Sequence, residues 1–334
     1  MTLPPSRPGL IADIGGTNAR FALVDDAGRV LASERLATRD FPGPVEAARA
    51  VLGRHAGAAG GSPDRAAWCV ASPISGDTVS LTNHPWTFSI AQARAALGLE
   101  TLTVVNDFVA NAMAIPELTP ADWIGVGPDV PGRPDRVIAA LGPGTGLGVA
   151  LLMPDGRGGW RPQATEGGHV TLAAADADEA RVIAEAWKTW DHVSAERFIC
   201  GPGLVTLYRM LCALEGRAPV HDHPRRISAG AEGDADPLAR RTLDMAYAML
   251  GTVAGNLALT SGALGGVYIL GGIVPATLDL FRASPFRARF EAKGRFRDYL
   301  TGVPTRVVTH PNPAFLGLVR LLRTPPPETT ARGA

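Results

Sequence analysis

The chain has 334 residues, 46% hydrophobic and 19% charged, with Lys+Arg 32 balanced by Asp+Glu 32. This length suggests about two domains with cores large enough to need no covalent staples. The composition excludes global disorder, and zero net charge removes the electrostatic basis of a nucleic-acid binder. Three cysteines, Cys69, Cys200 and Cys212, show no CxxC spacing, which excludes a disulfide scaffold and a Cys-based zinc site and fits a reducing cytoplasm.

No apolar signal-peptide core opens the chain. Two apolar runs at 10–12 and 21–24 flank Gly15-Gly16-Thr17-Asn18 and predict a hairpin, with a third strand over 30–36. A helix is expected over 44–55, a glycine-rich loop over 56–63 and a strand over 67–71. Ser89 is placed to cap a helix over 89–97. A buried strand over 102–105 then runs into Asn106-Asp107 and a helix over 108–115.

The chain next repeats its opening. A strand over 137–141 leads into Gly142-Pro143-Gly144-Thr145-Gly146-Leu147-Gly148 and a second apolar run over 149–152. A shift of 128 positions aligns Gly16 with Gly144, Thr17 with Thr145 and Gly28 with Gly156. This duplicated strand–turn–strand unit predicts two similar lobes facing each other across a cleft. Further helices are expected over 176–190, 203–214 and 237–260, with a polar surface loop over 215–236. Strands follow over 267–270 and 305–308, then a helix over 313–322 and a disordered tail over 324–334. Residues 245–277 carry no charge, but repeated small and polar residues favour a buried helix and strand over a membrane span.

Glycine turns after buried strands let backbone N–H groups approach an anion. The two turns here match neither the Walker pattern nor the dinucleotide fingerprint, yet each carries a threonine, and together they suggest a phosphate clamp. Asp13 precedes the first turn and suits either a water-bridged Mg²⁺ or a cap on its own turn. Asp107 lies just past a strand end, where sites in α/β proteins gather, and equally suits a helix cap. Glu166-Gly167-Gly168-His169 pairs an acid with an imidazole around glycines that permit close approach to a sugar ring; a solvated turn is the alternative. Ser194-Ala195-Glu196 is read as a helix start with Glu196 in a capping role, and His221-Asp222-His223 as an exposed loop. No HExxH or nucleophile elbow is present.

Taken in order, eight motifs resemble those of bacterial glucokinases. They are Asp13-Ile14-Gly15-Gly16-Thr17-Asn18-Ala19-Arg20, the run from Leu81 to Ser89, Val105-Asn106-Asp107-Phe108 and the Gly142 to Gly148 turn. Glu166 to His169, His192 to Arg197, Gly271-Gly272-Ile273-Val274-Pro275 and Lys293-Gly294-Arg295-Phe296 complete the series. The resemblance spans nearly the whole chain and implies an α/β, two-lobed actin-like (ribonuclease H-like) ATPase fold, with ATP and sugar in the interdomain cleft. It implies a smaller α/β domain over 1–117 plus 308–334 and a larger α+β domain over 118–307. It also implies phosphoryl transfer from MgATP to the 6-hydroxyl of D-glucose in a cytoplasmic homodimer that binds neither nucleic acid nor membrane.

By the same resemblance, Asp107 is the catalytic base, and Asn106, Glu166, His169 and Glu196 join it in holding the sugar hydroxyls. Asp13, Ile14, Gly15, Gly16, Thr17 and Asn18, with Gly144, Thr145 and Gly146, hold the nucleotide phosphates. Asp13 holds Mg²⁺ through water, and Gly271 and Gly272 lie against the adenosine. Three scattered cysteines place the chain in the zinc-free branch. Pro143 departs from the relatives' usual small residue and removes one N–H donor from its turn. Two other classes remain on the same scaffold. A sugar-independent actin-like ATPase would need the phosphate turns without the sugar set. A sugar-sensing regulator would need a DNA-binding extension, and about nine residues precede the first strand.

Overall fold

A computed structural model describes residues 7–55, 57, 61–232 and 236–323. The tail at 324–334, and residues 56 and 58–60 of the glycine-rich loop, lie outside them. The chain divides into two compact units, one of residues 1–117 and 311–334, the other of residues 118–310.

In the first unit, β1 (Gly9–Ile14), β2 (Asn18–Val24) and β3 (Val30–Ala37) form an antiparallel meander. Helix α1 (Pro44–His55) leads to β4 (Arg65–Val70), which pairs parallel with β1. A small hairpin of β5 (Thr78–Ser80) and β6 (Thr87–Ser89) follows, too short to leave a periodic signal in the sequence. Ser89 caps α2 (Ile90–Ala96) as expected, its hydroxyl accepting from Gln92 N at 3.1 Å. Strand β7 (Thr101–Asn106) pairs parallel with β4 and runs directly into α3 (Asp107–Ala114). The sheet order is β3-β2-β1-β4-β7.

The second unit contains β8 (Trp123–Gly125), β9 (Ile138–Pro143), β10 (Leu147–Pro154) and β11 (Trp160–Thr165). Helices α4 (Ala177–Ala186), α5 (Gly201–Leu214), α6 (Pro224–Ala231) and α7 (Pro237–Ser261) precede β12 (Gly266–Ile269). Short helices α8 (Ile273–Ala276), α9 (Leu278–Ala283), α10 (Phe286–Glu291) and α11 (Arg297–Thr301) lead to β13 (Thr305–Val308). Val308, expected in the smaller domain, is the last residue of this strand. The chain then re-enters the first unit as α12 (Pro313–Arg323). The sheet order here is β11-β10-β9-β12-β13-β8. Strands β11, β10 and β9 are antiparallel neighbours, while β9, β12 and β13 run parallel. The first five positions thus repeat the topology of the first sheet, which accounts for the 128-residue sequence echo.

Several local readings change. Helix α4 ends at Ala186 rather than Trp190, and the following turn carries Trp190 under the Arg197 guanidinium, 4.8 Å from the ring centre. The expected loop over 215–236 contains α6. Its His223 Nδ1 accepts from Arg225 N at 3.2 Å, and Pro224 occupies the first turn, where a missing N–H costs nothing. Its buried Ile227 and Ala231 join the second core. His221 is also not exposed: its ring lies 5.4 Å from that of Tyr208, and its Nε2 is 3.4 Å from Asp236 Oδ2.

The uncharged stretch resolves into most of α7 followed by β12. Asp236 caps α7 at its start, and Gly262 ends it in the left-handed conformation with φ 65°. Among the described residues no helix is long and apolar enough to cross a membrane. Alternation along the first sheet sends Leu10, Ala12, Ile14, Trp68 and Val70 into one core. Ile11, Ala67 and Cys69 instead face a second core with Ala110, Ala314 and Leu318. On that face Gly317 of α12 lies so close to α3 that an added Cβ would collide with the Ala110 carbonyl. Gly317→Ala is therefore expected to lower stability by about 1–3 kcal/mol, since overpacking outweighs the ~1 kcal/mol gain in helix propensity. Urea unfolding measures this, and an unchanged or higher midpoint would contradict the packing.

Candidate active site

The parallel strands of the first sheet place their carboxyl ends side by side. Asp13 on β1 is in register with Cys69 on β4, and Cys69 with Val105 on β7. Asp107 follows β7 by one residue. The Cys69 thiol donates to Asp13 Oδ1 at 3.5 Å. Burial, and after it the nearby Asp13 charge, push Asp107 up to about 6 against hydrogen bonds from the Phe108 N–H and Asn106 that pull it down. Burial raises Asp13 as well, offset by the Cys69 thiol and the Arg20 guanidinium. Burial and the same two carboxylates hold Cys69 well above the ordinary thiol range, so it remains a neutral donor. Arg20 pairs with Asp13 across the hairpin, bonds to Asn312 Oδ1 and sits 5.7 Å over the Phe315 ring.

This geometry separates the alternatives left by the motifs. Asn106, not Asp107, caps α3: its Oδ1 accepts from Phe108 N at 2.8 Å, and its Nδ2 donates to Ser72 O at 3.3 Å. Asp107 is the first helical residue. Asp13 does not cap its own turn, which closes instead by a bond from Gly15 N to Asn18 O at 2.9 Å. Buried Thr38 braces that turn, its hydroxyl donating to Gly16 O at 2.8 Å and its N–H to Thr17 O at 3.1 Å. Ile14 is buried at the end of β1, while the Thr17 side chain is exposed.

In the second unit, Glu166 precedes a 3-10 turn that presents His169. His169 Nε2 lies 3.9 Å from Glu166 Oε2, and its Nδ1 lies 3.9 Å from Glu196 Oε1. These separations exceed direct hydrogen bonds. The trio forms because segment 169–172 is stitched to segment 192–195. Leu172 N donates to Val193 O and Ala195 N to Val170 O, each at 3.0 Å, and His192 Nε2 donates to His169 O at 2.9 Å. Glu196 lies in a 3-10 turn and has no capping role there. Its Oε2 accepts from Leu147 N at 2.8 Å, tying it to the glycine turn between β9 and β10. His169, Asp191, His192, Glu196 and Arg197 line a polar pocket of about 390 Å³.

The turn at 144–146 closes by Gly144 N donating to Gly146 O at 2.8 Å, and Thr145 is exposed like Thr17. Gly201, the first residue of α5, donates its N–H to Gly144 O at 2.9 Å. The positive end of a 14-residue helix therefore lies beside this turn, where it favours an anion. Pro143 is absorbed as the last residue of β9, in register with Leu147. Gly271 has φ 86°, and a Cβ there would sit 2.5 Å from Pro143 O, so the turn after β12 rests on the end of β9. A Cβ on Gly272 would meet open space.

Residues 10–325 match the Glucokinase family model. The chain belongs to the glucokinase family. It is 49% identical over 318 residues to a glucokinase of Paramagnetospirillum magneticum, covering 95% of this chain and 98% of that one. It is 47% identical to a glucokinase of Aromatoleum aromaticum, covering 94% of each. A crystal structure of glucokinase from an Antarctic psychrotroph matches with a TM-score of 0.85 at 35% identity, covering 95% of this chain and 99% of that one. The fold is thus the two-lobed actin-like sugar kinase fold that the motifs implied.

Three residues near the acid pair escaped the motif reading: Arg20 as the partner of Asp13, Cys69 as its donor, and Ser72 beneath Asn106. Only Arg20 left a signal, since 13 and 20 are symmetric about a turn over 15–18. The raised Asp107 has a consequence for stability. Between the ordinary carboxylate range and about pH 6 the native state keeps a proton that the unfolded chain has lost, so stability falls as pH rises through that window. Asp107→Asn removes the burden, and its Tm relative to the parent is expected to climb from pH 4 to pH 7. A difference that stays flat with pH would contradict the burial.

Proposed function

We propose that Asp107 is the general base of a glucokinase that transfers the γ-phosphoryl group of ATP to O6 of D-glucose, yielding glucose 6-phosphate and ADP. The observation that carries this reading is a half-buried carboxylate beside Asn106 at the end of β7, raised to about 6, in a chain of the glucokinase family. Asp107 takes the proton of the 6-hydroxyl as O6 bonds to the γ-phosphorus, and the bond from that phosphorus to the bridging oxygen of ADP breaks. A carboxylate near 6 is ionised at neutral pH and is a stronger base than an ordinary aspartate. Such transfers have a loose transition state, so positioning dominates and the base acts late. A sugar-independent ATPase has no use for this residue or for the Glu166, His169 and Glu196 trio.

In this reading Asn106, Glu166, His169 and Glu196 supply the remaining hydrogen bonds to the sugar. Asn106 already spends one lone pair on Phe108 and its N–H groups on Ser72 and Asp107, leaving one lone pair of its carbonyl in a fixed orientation. The turns at 15–18 and 144–146 offer backbone N–H groups to the phosphates, and Gly271 and Gly272 leave room for the adenosine. Mg²⁺ fits Asp13: no cage of three or more metal-binding side chains exists among the described residues, and Mg²⁺ favours one or two carboxylates with phosphates and water. When bound it neutralises phosphate charge. The family resemblance also supports a cytoplasmic homodimer, whose oligomeric state light scattering measures.

A coupled assay for glucose 6-phosphate tests the reading. Asp107→Asn is expected to lose at least ~100-fold in kcat while still binding glucose; near-parental turnover would refute the assignment. In the parent, kcat/KM is expected to fall below about pH 6, as the base becomes protonated. Glu166→Ala and His169→Ala are expected to raise KM for glucose more than KM for ATP, because a site built to pair hydroxyls loses affinity when a partner is removed. Equal effects on both constants would contradict their placement.

A further inference from the structure

Ser72 lies two residues past the end of β4, between the two functional ends of the first sheet. Ile14, Val70 and Asn106 are in register across β1, β4 and β7. The phosphate turn therefore leaves on one side of β4 and Asn106 on the other. Ser72 is 2% exposed, and every hydrogen-bonding capacity of its hydroxyl is engaged. The hydroxyl donates to Ala71 O at 2.7 Å, and it accepts from Thr82 N at 2.8 Å and from Thr82 Oγ1 at 3.0 Å. Its own carbonyl accepts from Asn106 Nδ2. The loop held by Thr82 lies directly on the first glycine turn: a Cβ on Gly16 would sit 2.9 Å from Asn83 O. Hydrogen bonds thus link Asn106 to Ser72 and Ser72 to Thr82, and the next residue, Asn83, packs against Gly16. The buried Ser72 hydroxyl at the centre is fully satisfied, so a shift there is passed on rather than absorbed.

We infer that Ser72 is a positioning residue that couples sugar binding at Asn106 to nucleotide binding at the turn over 15–18. The inference rests on the phosphotransfer reading above and adds to it a route by which glucose tightens the hold on the nucleotide. A glucose hydroxyl bonded to the free face of Asn106 fixes the amide, the amide fixes Ser72, and Ser72 fixes the loop that rests on Gly16. The Leu81 to Ser89 motif, to which the chemistry assigns no role, becomes the strap in this arrangement. Coupling of this kind is reciprocal, so the nucleotide also tightens glucose by the same factor.

Calorimetric titration of the full-length protein with MgADP, with and without saturating glucose, tests this. In the parent, glucose is expected to tighten MgADP by ~5-fold or more, within the ordinary range of coupling. Ser72→Ala removes both hydrogen bonds to Thr82 and is expected to bring that factor below ~2, while Thr82→Val removes only the hydroxyl bond, keeps the Thr82 N–H, and is expected to lower the factor part-way; both leave the Ser72 carbonyl that receives Asn106. A purely structural role would weaken both ligands without changing the ratio, and a parental ratio in both variants overturns the inference. Thr82 is exposed, so its variant keeps the test decisive should Ser72→Ala fold poorly. A parent that binds glucose yet shows one MgADP affinity throughout overturns the coupling and leaves the phosphotransfer reading intact. A parent with no measurable glucose binding overturns both.

Discussion

Two half-buried carboxylates near one another, at the ends of parallel strands β1 and β7 on either side of β4, set the terms for the first unit. Asp13 and Asp107 each lose solvent, and the Asp13 charge raises the cost of ionising Asp107. The fold tolerates them because Cys69 stands between as a neutral donor and Arg20 supplies a positive charge across the hairpin. The return of the chain as α12 holds that arginine through Asn312 and Phe315, so the C-terminal helix contributes to the electrostatics of residues near the N-terminus. What weakens the unit at neutral pH is what would make Asp107 a serviceable base in the proposed reaction, a trade commonly found at catalytic positions.

The same sheet plan serves two chemical purposes. In each unit an antiparallel hairpin delivers a glycine turn with an exposed threonine, while two parallel strands continue the sheet beside it. In the first unit the parallel strands end in acid and amide side chains. In the second, the turn after β12 ends in glycines that keep side chains out of the way. The close approach of Gly142 to Leu270 and of Gly271 to Pro143 explains why those strand ends carry no larger residue. The chemical difference between the two units thus follows from what terminates each strand rather than from different architectures.

Glu196 carries a double duty in the second unit. One oxygen receives the Leu147 N–H of the glycine turn, while the other faces His169. The trio of Glu166, His169 and Glu196 and the glycine turn over 144–146 are therefore linked through a single carboxylate, and a Cβ on Gly146 would collide with it. Ser72 plays a comparable linking part in the first unit with an uncharged group. In both cases the connection is short, buried or half-buried, and made of hydrogen bonds whose donors and acceptors are fully specified.

Much of this protein was legible from local pattern. Hairpins around glycine turns, the Ser89 cap, the long uncharged helix and the 128-residue echo depend on nearest neighbours along the chain, and residue order alone determined them. So did family membership, because eight weak motifs in a fixed order are jointly specific. Sequence proximity could not decide which of Asn106 and Asp107 caps α3, since both suit a helix start; the direction of the Asn106 carbonyl settled it. It could not place Glu196 on Leu147, 49 residues away, or Cys69 on Asp13, 56 residues away, because those contacts exist only once strands are in register. Helix α6 was hidden by a composition typical of loops, and only the core that buries Ile227 and Ala231 makes it a helix. The residues and their order set the chemistry available; packing decided which groups lose water, and therefore how far the pH must rise before they release their protons.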